Sequence, residues 1–428
     1  MKIKQFLEIV TSQIRSKQAK AYVSEELTQH ILRSKKLWLQ KGINEIEAEE
    51  KAIHEMGSPL TLGQSLDHIH KPKIDWLLIS ILCCTLLLSF LPLLTYKQEQ
   101  YSSYIDLQTM IQNKVIFVIL GLFLALAIMY ADYRKLQRFS YLFYVAGIGF
   151  LSLLHFFSNT LINGEVMLSI GMLDLQIWMA IPLFLIAWAA IFARPSVKIL
   201  QAMILFVLSI ISFASVANLS VLFMYVVLVG VLFSQSQVIP RVKLLVISAT
   251  GILAIGVVIL TTSILHQYQL HRLYGYLNPQ ENAEGAGYMY LLLEEVIKNA
   301  AWFGSKTQVK IPGAHTDLVF GHLIQSYGYG LALIIVILLS VFVIRLCIIS
   351  FSIKDSFGKL LVIGGVTLFS IQFIYTIGMS VGILPIVSMP LPFMSYGFMP
   401  TILNAFIVGI ALSVYRRKSL IQIKRKSV

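Results

Sequence analysis

Residues 76–95 are W-L-L-I-S-I-L-C-C-T-L-L-L-S-F-L-P-L-L-T, and they are the clearest indication of the fold class of this chain. It runs for twenty residues without a Lys, Arg, Asp or Glu. Because an α-helix rises about 1.5 Å per residue, about 20 apolar residues cross the hydrocarbon core of a bilayer. We therefore predict that residues 76–95 form a membrane-spanning helix.

The composition of the whole chain agrees with this interpretation. Of its 428 residues, 57% are hydrophobic and only 13% are charged, and the mean hydropathy is +0.77. Soluble globular domains carry about 25% charged residues, so the composition excludes an ordinary soluble enzyme and a disordered chain. The net charge of +13 gathers at the termini and in short loops. It forms no basic stripe interleaved with aromatic residues, so we predict no nucleic-acid partner.

Nine further apolar runs follow the first and predict an all-α polytopic membrane protein with about ten transmembrane helices. They lie at about 115–131, 141–156, 177–193, 197–216, 221–234, 244–264, 318–347, 359–384 and 394–415. An even number of spans puts both termini on the same side of the membrane.

The distribution of positive charge orients these spans. Lys and Arg concentrate in the cytoplasmic loops of membrane proteins. With the N-terminus in the cytoplasm, sixteen Lys and Arg fall in the inner loops and the C-terminal tail, and six fall in the outer loops. The outer loops 157–176 and 385–393 contain none. We therefore predict a multi-pass protein of the cytoplasmic membrane with both termini cytoplasmic.

Three parts of the chain differ in character. Residues 1–72 are polar and show helical periodicity, with Asn44 and Glu47 typical of a helix start and Gly57 of a helix end. They predict a cytoplasmic helical domain, followed by a transmembrane domain at 73–418 and a basic tail at 419–428. A polar excursion of roughly 50 residues, about 265–317, interrupts the spans, and segments of that length are usually functional.

Asp317 is the acidic residue with the most unusual position. It lies in A-H-T-D-L-V-F, residues 314–320, where the long excursion re-enters an apolar run. A partly desolvated carboxylate there would have a raised pKa and act as a better base. The alternative is that Thr316 and Asp317 cap the following helix, because both residue types are good N-caps.

A second unusual stretch is P-I-V-S-M-P-L-P-F-M-S-Y-G-F-M-P, residues 385–400. Four prolines with Ser395 and Gly397 do not fit a regular helix. Irregular backbone at membrane depth occurs where it is buried in protein or lines a cavity. We predict a re-entrant or broken segment that faces the same space as the long excursion, or a tight turn without a ligand.

Signatures of other enzyme classes are missing from the sequence. It has no Walker A motif, no H-E-x-x-H and no G-x-S-x-G. His315 and His322 are seven residues apart, a spacing more typical of packing than of zinc ligation, and the three cysteines do not form a metal-binding pattern. We therefore predict no metal site built by the protein alone.

Three stretches resemble the SEDS (shape, elongation, division and sporulation) proteins, the FtsW/RodA/SpoVE family. A-H-T-D-L-V-F at 314–320 is similar to the family's H-T-D-F-I-F, and M-P-L-P-F-M-S-Y-G at 389–397 to its P-L-P-F-[IV]-S-Y-G-G. R-L-Y-G-Y-L-N-P at 272–279, with G-A-G-Y at 285–288, is similar to R-L…F-x-P…G-Y-Q. The resemblance covers about residues 75–418. Residues 1–72 resemble instead the helical prefix domain of some bacterial permease-like proteins.

Several family positions are changed in this chain. The family's G-A-x-R-W-I-x-x-G becomes G-E-V-M-L-S-I-G at 164–171, without the Arg and the Trp. The following Q-P-S-E survives only as Gln176. These losses remove polar groups that could line a substrate path.

The resemblance implies a peptidoglycan glycosyltransferase that polymerises lipid II at the outer face of the membrane, in cell shape, division or sporulation. Asp317 maps onto the family's essential aspartate and would be the general base. A class B penicillin-binding protein is the implied partner, and a divalent cation, Mg or Mn, could accompany the substrate pyrophosphate. The residues that we expect to bind the substrate are Arg272 and Lys310, as the cations nearest the leaving group, and His315, Thr316, Gln176, Ser395, Tyr396 and Gly397.

Two other functions remain open on the sequence. A catalytically inactive SEDS-like scaffold or regulator of cell-wall synthesis is favoured by the changed motifs, while the retained H-T-D argues against it. A transporter of a lipid-linked precursor is disfavoured, because transporters often show charged residues within spans and repeated broken helices, and here the spans are nearly free of charge.

Overall fold

The computed structural model describes residues 2–15, 17–70, 72–95, 107–162, 165–170, 173–216, 218–236, 238, 274–305 and 308–420. The chain forms two compact units. The first contains residues up to Asp75 together with the chain from Tyr415 onward, and the second is Trp76–Val414.

The first unit is a bundle of short helices. Asn44 begins the third helix by accepting a hydrogen bond at its side chain from the Glu47 amide, at 2.8 Å. Gly57, with φ of 76°, separates the third helix from the fourth, because a left-handed conformation costs glycine little. The helices are α1 (Ile3–Ser12), α2 (Lys17–Gln40), α3 (Glu45–His54) and α4 (Pro59–His70).

The core of the first unit follows the periodicity of α2 only in part. Val23 and Ile31 are fully buried and pack with Phe6 and Val10 of α1. Leu37 and Leu39, two further apolar residues of α2, are exposed instead. They are two positions apart, which is about 200° around a helix of 3.6 residues per turn, so one continuous stripe does not include both.

The second unit is built mainly from long apolar helices. Its first part contains α5 (Trp76–Leu88), α6 (Leu91–Leu94), α7 (Leu107–Tyr130), a 3₁₀ helix (Tyr133–Phe139), α8 (Ser140–Phe157), a 3₁₀ turn (Ile177–Met179), α9 (Ala180–Phe192), α10 (Ile199–Ser215) and α11 (Leu219–Ser234). Its second part contains α12 (Tyr288–Asn299), α13 (Val319–Phe351), α14 (Ser356–Ser380) and α15 (Phe398–Arg416), followed by a 3₁₀ turn (Lys418–Leu420) that belongs to the first unit.

Two small antiparallel sheets join these helices. Strands β1 (Thr160–Ile162), β2 (Glu165–Ile170) and β3 (Leu173–Gln176) form one sheet in that order. Strands β4 (Ala300–Ala301) and β5 (Gly304–Ser305) form a hairpin within the long excursion. The sequence predicted neither sheet, because both are short and lie in segments between the apolar runs of the predicted spans.

The helices identify a membrane protein of the all-α class. Six of those described are long and apolar enough to cross a membrane, and three shorter apolar helices accompany them. These nine correspond to nine of the ten predicted spans. The remaining predicted span, 244–264, lies outside the described residues.

Helix α9 lies at the centre of the second unit, in contact with α8, α11 and α14. It is apolar on all sides and almost fully buried, as expected for a helix surrounded by other helices. The indole of Trp188 donates a 2.9 Å hydrogen bond to the Tyr225 hydroxyl in α11. Gly364 of α14 approaches so closely that a Cβ there would lie 2.2 Å from Leu185 Cδ1, and small residues permit such approaches between membrane helices.

Candidate active site formed by two irregular segments

Asp317 lies in a tight turn, residues 311–318, which we call the HTD turn. The Gly313 carbonyl accepts hydrogen bonds from the amides of Thr316, at 3.0 Å, and Leu318, at 3.1 Å. Gly313 has φ of 68°, a conformation that glycine adopts at little cost. The turn leaves the Asp317 side chain half-buried.

Neither Thr316 nor Asp317 occupies the N-cap position of the following helix. Helix α13 begins at Val319, and its N-cap position is Leu318, which makes no side-chain cap hydrogen bond. Thr316 instead directs its hydroxyl at the Gly313 carbonyl, at 3.4 Å. The Asp317 carboxylate accepts a hydrogen bond from the Ser388 hydroxyl, with 3.4 Å between Oγ and Oδ1.

The second segment, residues 385–397, is irregular as the prolines predicted, and we call it the SYG segment. It enters the protein interior, since Met389, Leu391 and Phe393 are fully buried. Phe393 has φ of 62°, an unusual conformation for a non-glycine residue that is often found at functional sites. Helix α15 starts only at Phe398. The backbone is therefore irregular where protein surrounds it, as membrane burial requires.

Ser395 fastens the SYG segment to the HTD turn. Its hydroxyl donates to the Thr316 carbonyl at 2.6 Å and accepts from the Leu391 amide at 2.8 Å. The Tyr396 amide donates to the His315 carbonyl at 2.7 Å. The two motifs, about 80 residues apart in sequence, thus form one hydrogen-bonded cluster around Asp317.

Lys114 of α7 also supports this cluster, although it precedes the apolar run at 115–131 and resembles a loop charge by sequence. The side chain is fully buried. Its Nζ donates to the carbonyls of Phe393 and Ser395, each at 3.0 Å. The available signal was its proximity to an apolar run, because charged residues at membrane depth are costly and usually functional.

His315 and Tyr396 form the aromatic side of the cluster. Their rings meet edge to face, with centroids 5.9 Å apart, and Tyr396 also contacts Phe117 of α7. Burial lowers the pKa of the His315 imidazole below its ordinary value of 6.5. His315 is therefore mainly neutral at pH 7. Gly397, with φ of 147°, ends the segment.

The structure describes two of the other three residues that we expect to bind the substrate. Lys310 is exposed, before the HTD turn. Gln176 ends β3 and contacts Met167 of the neighbouring strand, with 3.8 Å between Nε2 and Sδ, so it belongs to a different local cluster. Arg272 lies outside the described residues.

An apolar cavity opens beside the SYG segment. It has a volume of ≈ 220 Å³ and is lined by residues of α7, α9, the 3₁₀ turn before α9, and α15. Phe398, which follows Gly397 directly, is part of this lining, as is Trp178. The site therefore joins a polar cluster to an apolar space.

The described residues offer little to a metal ion. They contain no group of three or more His, Cys, Asp or Glu that could hold one. Asp317, with the Ser388 hydroxyl beside it, supplies one carboxylate. Mg²⁺ often binds through one or two carboxylates and substrate phosphates, so these residues fit a cation that arrives with a phosphorylated substrate better than a resident one.

Comparison with known proteins places the fold and the motifs in context. The family model FTSW_RODA_SPOVE, described as "Cell cycle protein", matches residues 74–420. The chain is similar to "Peptidoglycan glycosyltransferase MrdB" of Escherichia coli (strain K12), at 29% identity over 181 residues, 40% of this chain and 49% of that protein. It is also similar to "Probable peptidoglycan glycosyltransferase FtsW" of Geobacter metallireducens, at 30% identity over 175 residues, 38% of this chain and 47% of that protein.

The chain spans about half the length of the curated relatives that it matches. The fold is also similar to that of a chain in the solved structure described as "Structural coordination of polymerization and crosslinking by a peptidoglycan synthase complex". The TM-score is 0.66 at 21% identity, over 81% of this chain and 98% of that chain. The match to the family model covers most of the chain and includes both motif segments. This chain therefore belongs to the FtsW/RodA/SpoVE family, the SEDS proteins.

Proposed function

We propose that this protein is a peptidoglycan glycosyltransferase that polymerises lipid II at the outer face of the cytoplasmic membrane. Both termini would then be cytoplasmic, in agreement with the distribution of Lys and Arg. The HTD turn and the SYG segment would face the outside. Relatives named as peptidoglycan glycosyltransferases support this activity.

The observation that carries the proposal is the Asp317 cluster. A half-buried carboxylate is held by a turn that is hydrogen-bonded to a second irregular segment through Ser395 and Tyr396. Such a fixed carboxylate suits proton abstraction, because catalysis requires a base held in a constant position toward its substrate.

The proposed reaction is a single displacement. Asp317 accepts the proton of the acceptor sugar hydroxyl while that oxygen forms a bond to the anomeric carbon of the donor. The bond between this carbon and the pyrophosphate oxygen breaks, and undecaprenyl pyrophosphate leaves with the electron pair. Attack opposite the leaving group inverts the anomeric configuration. The transfer of the proton requires only Asp317 among the protein's groups.

The leaving group carries negative charge that a cation would stabilise. We propose Arg272 first and Lys310 second for this role, and a divalent cation bound to the pyrophosphate as the alternative. The exposure of Lys310 leaves its ammonium group available to a ligand. Lys114 is less suited to this role than Arg272 or Lys310, because its ammonium group already donates to two backbone carbonyls.

The apolar cavity supports a lipid-linked substrate. Phe398, which follows the SYG segment directly, and Trp178 are part of its lining. A substrate with its sugar near Asp317 could therefore place part of an isoprenoid chain in this cavity. His315, Thr316, Ser395, Tyr396 and Gly397 would then position the polar part, and Gln176 would contribute from β3.

We further propose a class B penicillin-binding protein as the partner. The chain shares its fold with a component of a complex described as coordinating polymerization and crosslinking. A transferase that forms glycan strands needs a second enzyme that cross-links them. The helical domain at 1–72 would serve a regulatory or partner-binding role on the cytoplasmic side.

An inactive scaffold is the second candidate. Within the segment in which the family's Arg and Trp are missing, Glu165–Ile170 form strand β2, where the Ser169 hydroxyl donates to Asp174 at 2.6 Å. Gln176, the remnant of Q-P-S-E, contacts Met167 in that sheet. If this region normally contributes to substrate binding, the transferase activity could have been lost.

Polymerisation of labelled lipid II by the purified protein separates these functions. The protein is incubated alone and with class B penicillin-binding proteins, with and without divalent cation, and the glycan products are resolved on a gel. We expect polymer from the wild type and none from Asp317→Asn. Glu295→Gln, which neutralises an exposed acid of the same excursion, is the matched control and should retain polymerisation.

Absence of polymer with every partner, from protein whose helical content is normal, would favour the scaffold. Polymer that persists in Asp317→Asn would contradict the assignment of the base while leaving the activity intact.

A further inference from the structure

The β4–β5 hairpin exposes two large aromatic side chains at its tip. Ala301 pairs with Gly304, so Trp302 and Phe303 form the two-residue turn between the strands. Trp302 is 64% exposed and Phe303 is 96% exposed. Adjacent exposed aromatic residues are unfavourable in water, and they indicate a surface that contacts something less polar.

The hairpin is held rigidly against helix α13. The Gly330 amide donates a 3.1 Å hydrogen bond to the Trp302 carbonyl. Gly328 interrupts the helix with φ of 84° and ψ of −176°. A Cβ at Gly328 would lie 2.3 Å from the Gly304 amide nitrogen, so the absence of a side chain permits this contact. The tip therefore has a fixed height along α13.

That height coincides with the end of the first membrane-spanning helix. The Tyr327 hydroxyl donates to the Leu91 carbonyl at 3.0 Å, and the His322 ring lies 3.2 Å from the Pro92 carbonyl. Leu91 and Pro92 belong to the last turn of the span Trp76–Leu94.

Helix lengths place this level at the edge of the hydrocarbon core. The span Trp76–Leu94 has 19 residues, which is about 28 Å of helix at 1.5 Å per residue, against a core about 30 Å thick. The part of α13 after Gly328 has about 23 residues, or about 34 Å, and so also crosses the core. Both estimates place Gly328, and the hairpin on it, at the membrane boundary.

The tip is continuous with a lipid-facing surface. Leu333, Ile334 and Ile337 of α13 follow Gly330 by one to two turns, and all three side chains are exposed. Exposed apolar residues of a spanning helix face lipid tails. The aromatic tip therefore adjoins the boundary of this surface, at the depth where Trp is enriched in membrane proteins because its ring is apolar and its N–H is polar.

We propose that Trp302 and Phe303 form an anchor that inserts into the headgroup region of the bilayer. The anchor fixes the height of the excursion that continues into the HTD turn, and so keeps Asp317 near the level of lipid phosphates. The anchor itself does not depend on the transferase activity, because only the exposure and the membrane depth of the two side chains support it.

Fluorine NMR of the full-length protein in lipid nanodiscs tests the anchor. The protein is labelled with 5-fluorotryptophan at its five Trp residues, and the Trp302 signal is identified by its loss in Trp302→Phe. One sample contains phosphatidylcholine with a nitroxide near the headgroup, and another contains a soluble gadolinium chelate. Trp76, which is 70% exposed at the start of the first span, and fully buried Trp188 are internal references.

We expect the lipid nitroxide to broaden the Trp302 signal at least as strongly as it broadens that of Trp76. The gadolinium chelate should broaden the Trp302 signal much less than the nitroxide does. Trp188 should respond to neither agent. Broadening of Trp302 by the soluble chelate alone would show a water-exposed tip, available to a protein partner, and would overturn the proposal. A Trp302 signal that behaves like Trp188 would show a tip covered by protein and would overturn it as well.

Discussion

At the scale of single residues, the buried ammonium group of Lys114 donates to the carbonyls of Phe393 and Ser395. Ser395 in turn donates to the Thr316 carbonyl, next to Asp317. The lysine thus positions the catalytic candidate through two intervening groups and does not contact it in the structure. A buried carbonyl that loses its donor costs about 1–3 kcal/mol.

We therefore expect Lys114→Met to loosen the SYG segment. Local stability should fall by about 1–2 kcal/mol, which accelerates amide exchange of Ser395 and Tyr396 about 5- to 30-fold. Hydrogen exchange with mass spectrometry measures this change. Lys298→Met, which removes an exposed lysine paired with Glu294, is the control, and equal exchange in the two variants would argue against the positioning role.

The buried imidazole of His315 makes the HTD turn sensitive to acid. Burial lowers its pKa below 6.5, so below pH 6.5 the unfolded turn binds a proton more readily than the folded turn does. Well above pH 6.5 the imidazole is neutral in both states and does not affect the stability of the turn, and as the pH falls below that value it increasingly opposes the folded turn.

We expect hydrogen exchange at Thr316 and Leu318, corrected for the intrinsic pH effect, to accelerate between pH 7 and pH 5. His315→Gln should weaken this dependence. A corrected profile that is the same in the variant and the wild type would assign the acid sensitivity to another group.

The sequence identified the motif residues but not the contacts among them. Asp317 and Ser395 stand out because a polar pattern interrupts an apolar one. Lys114 does not, because five of the seven residues from Gln108 to Lys114 are polar and resemble a loop. They form the first turns of α7 instead, since hydropathy measures the lipid-facing length of a helix and not its full extent.

At the scale of secondary-structure elements, the kink of α13 at Gly328 makes room for the β4–β5 hairpin. The nine apolar helices follow from hydropathy, because each must satisfy its backbone groups internally within the bilayer. The kink at Gly328 and the β4–β5 hairpin do not, because they depend on a close approach between residues 24 positions apart, Gly304 and Gly328. A single glycine in an apolar run gives no sign of such a partner.

Gly328→Ala should destabilise this end of the protein. Its φ of 84° is unfavourable for alanine, and the added methyl group would lie 2.3 Å from the Gly304 amide nitrogen. We expect a loss of about 1–3 kcal/mol, measured by thermal unfolding in nanodiscs. Gly230→Ala is the matched control, because a Cβ there meets nothing within 4 Å in α11, and alanine favours helix.

If Gly328→Ala unfolds at the same temperature as the wild type while Gly230→Ala does not lose stability, the contact between the hairpin and α13 at Gly328 is not rigid. The anchor proposal would then lose its support from a fixed height.

At the scale of the whole molecule, the chain combines a helical unit with a transmembrane unit of the FtsW/RodA/SpoVE family. The helical unit has a core of its own, in which Phe6, Val10, Val23 and Ile31 are fully buried. The composition of residues 1–72 predicted such a unit, but the pairing of α1 with α4 could not be deduced. The segment between them contains several surface leucines that are indistinguishable by pattern from core residues.

Phe6→Ala should unfold the helical unit selectively. Truncation of a buried Phe costs about 3–5 kcal/mol, which is a large part of the stability of a small domain. We expect loss of exchange protection across α1–α4, with α9 as the internal reference. Leu60→Ala, at an exposed position, is the control, and retained protection in Phe6→Ala would show that this core is not the main source of stability.

As the proposed general base, Asp317 removes the acceptor proton in lipid II polymerisation. The most direct test is the initial rate of polymerisation by Asp317→Asn, with lipid II binding measured on the same protein. We predict a rate about 10²- to 10⁴-fold below the wild type, the range for loss of a general base, with binding retained. A rate within a few-fold of the wild type, at equal binding, would contradict the claim.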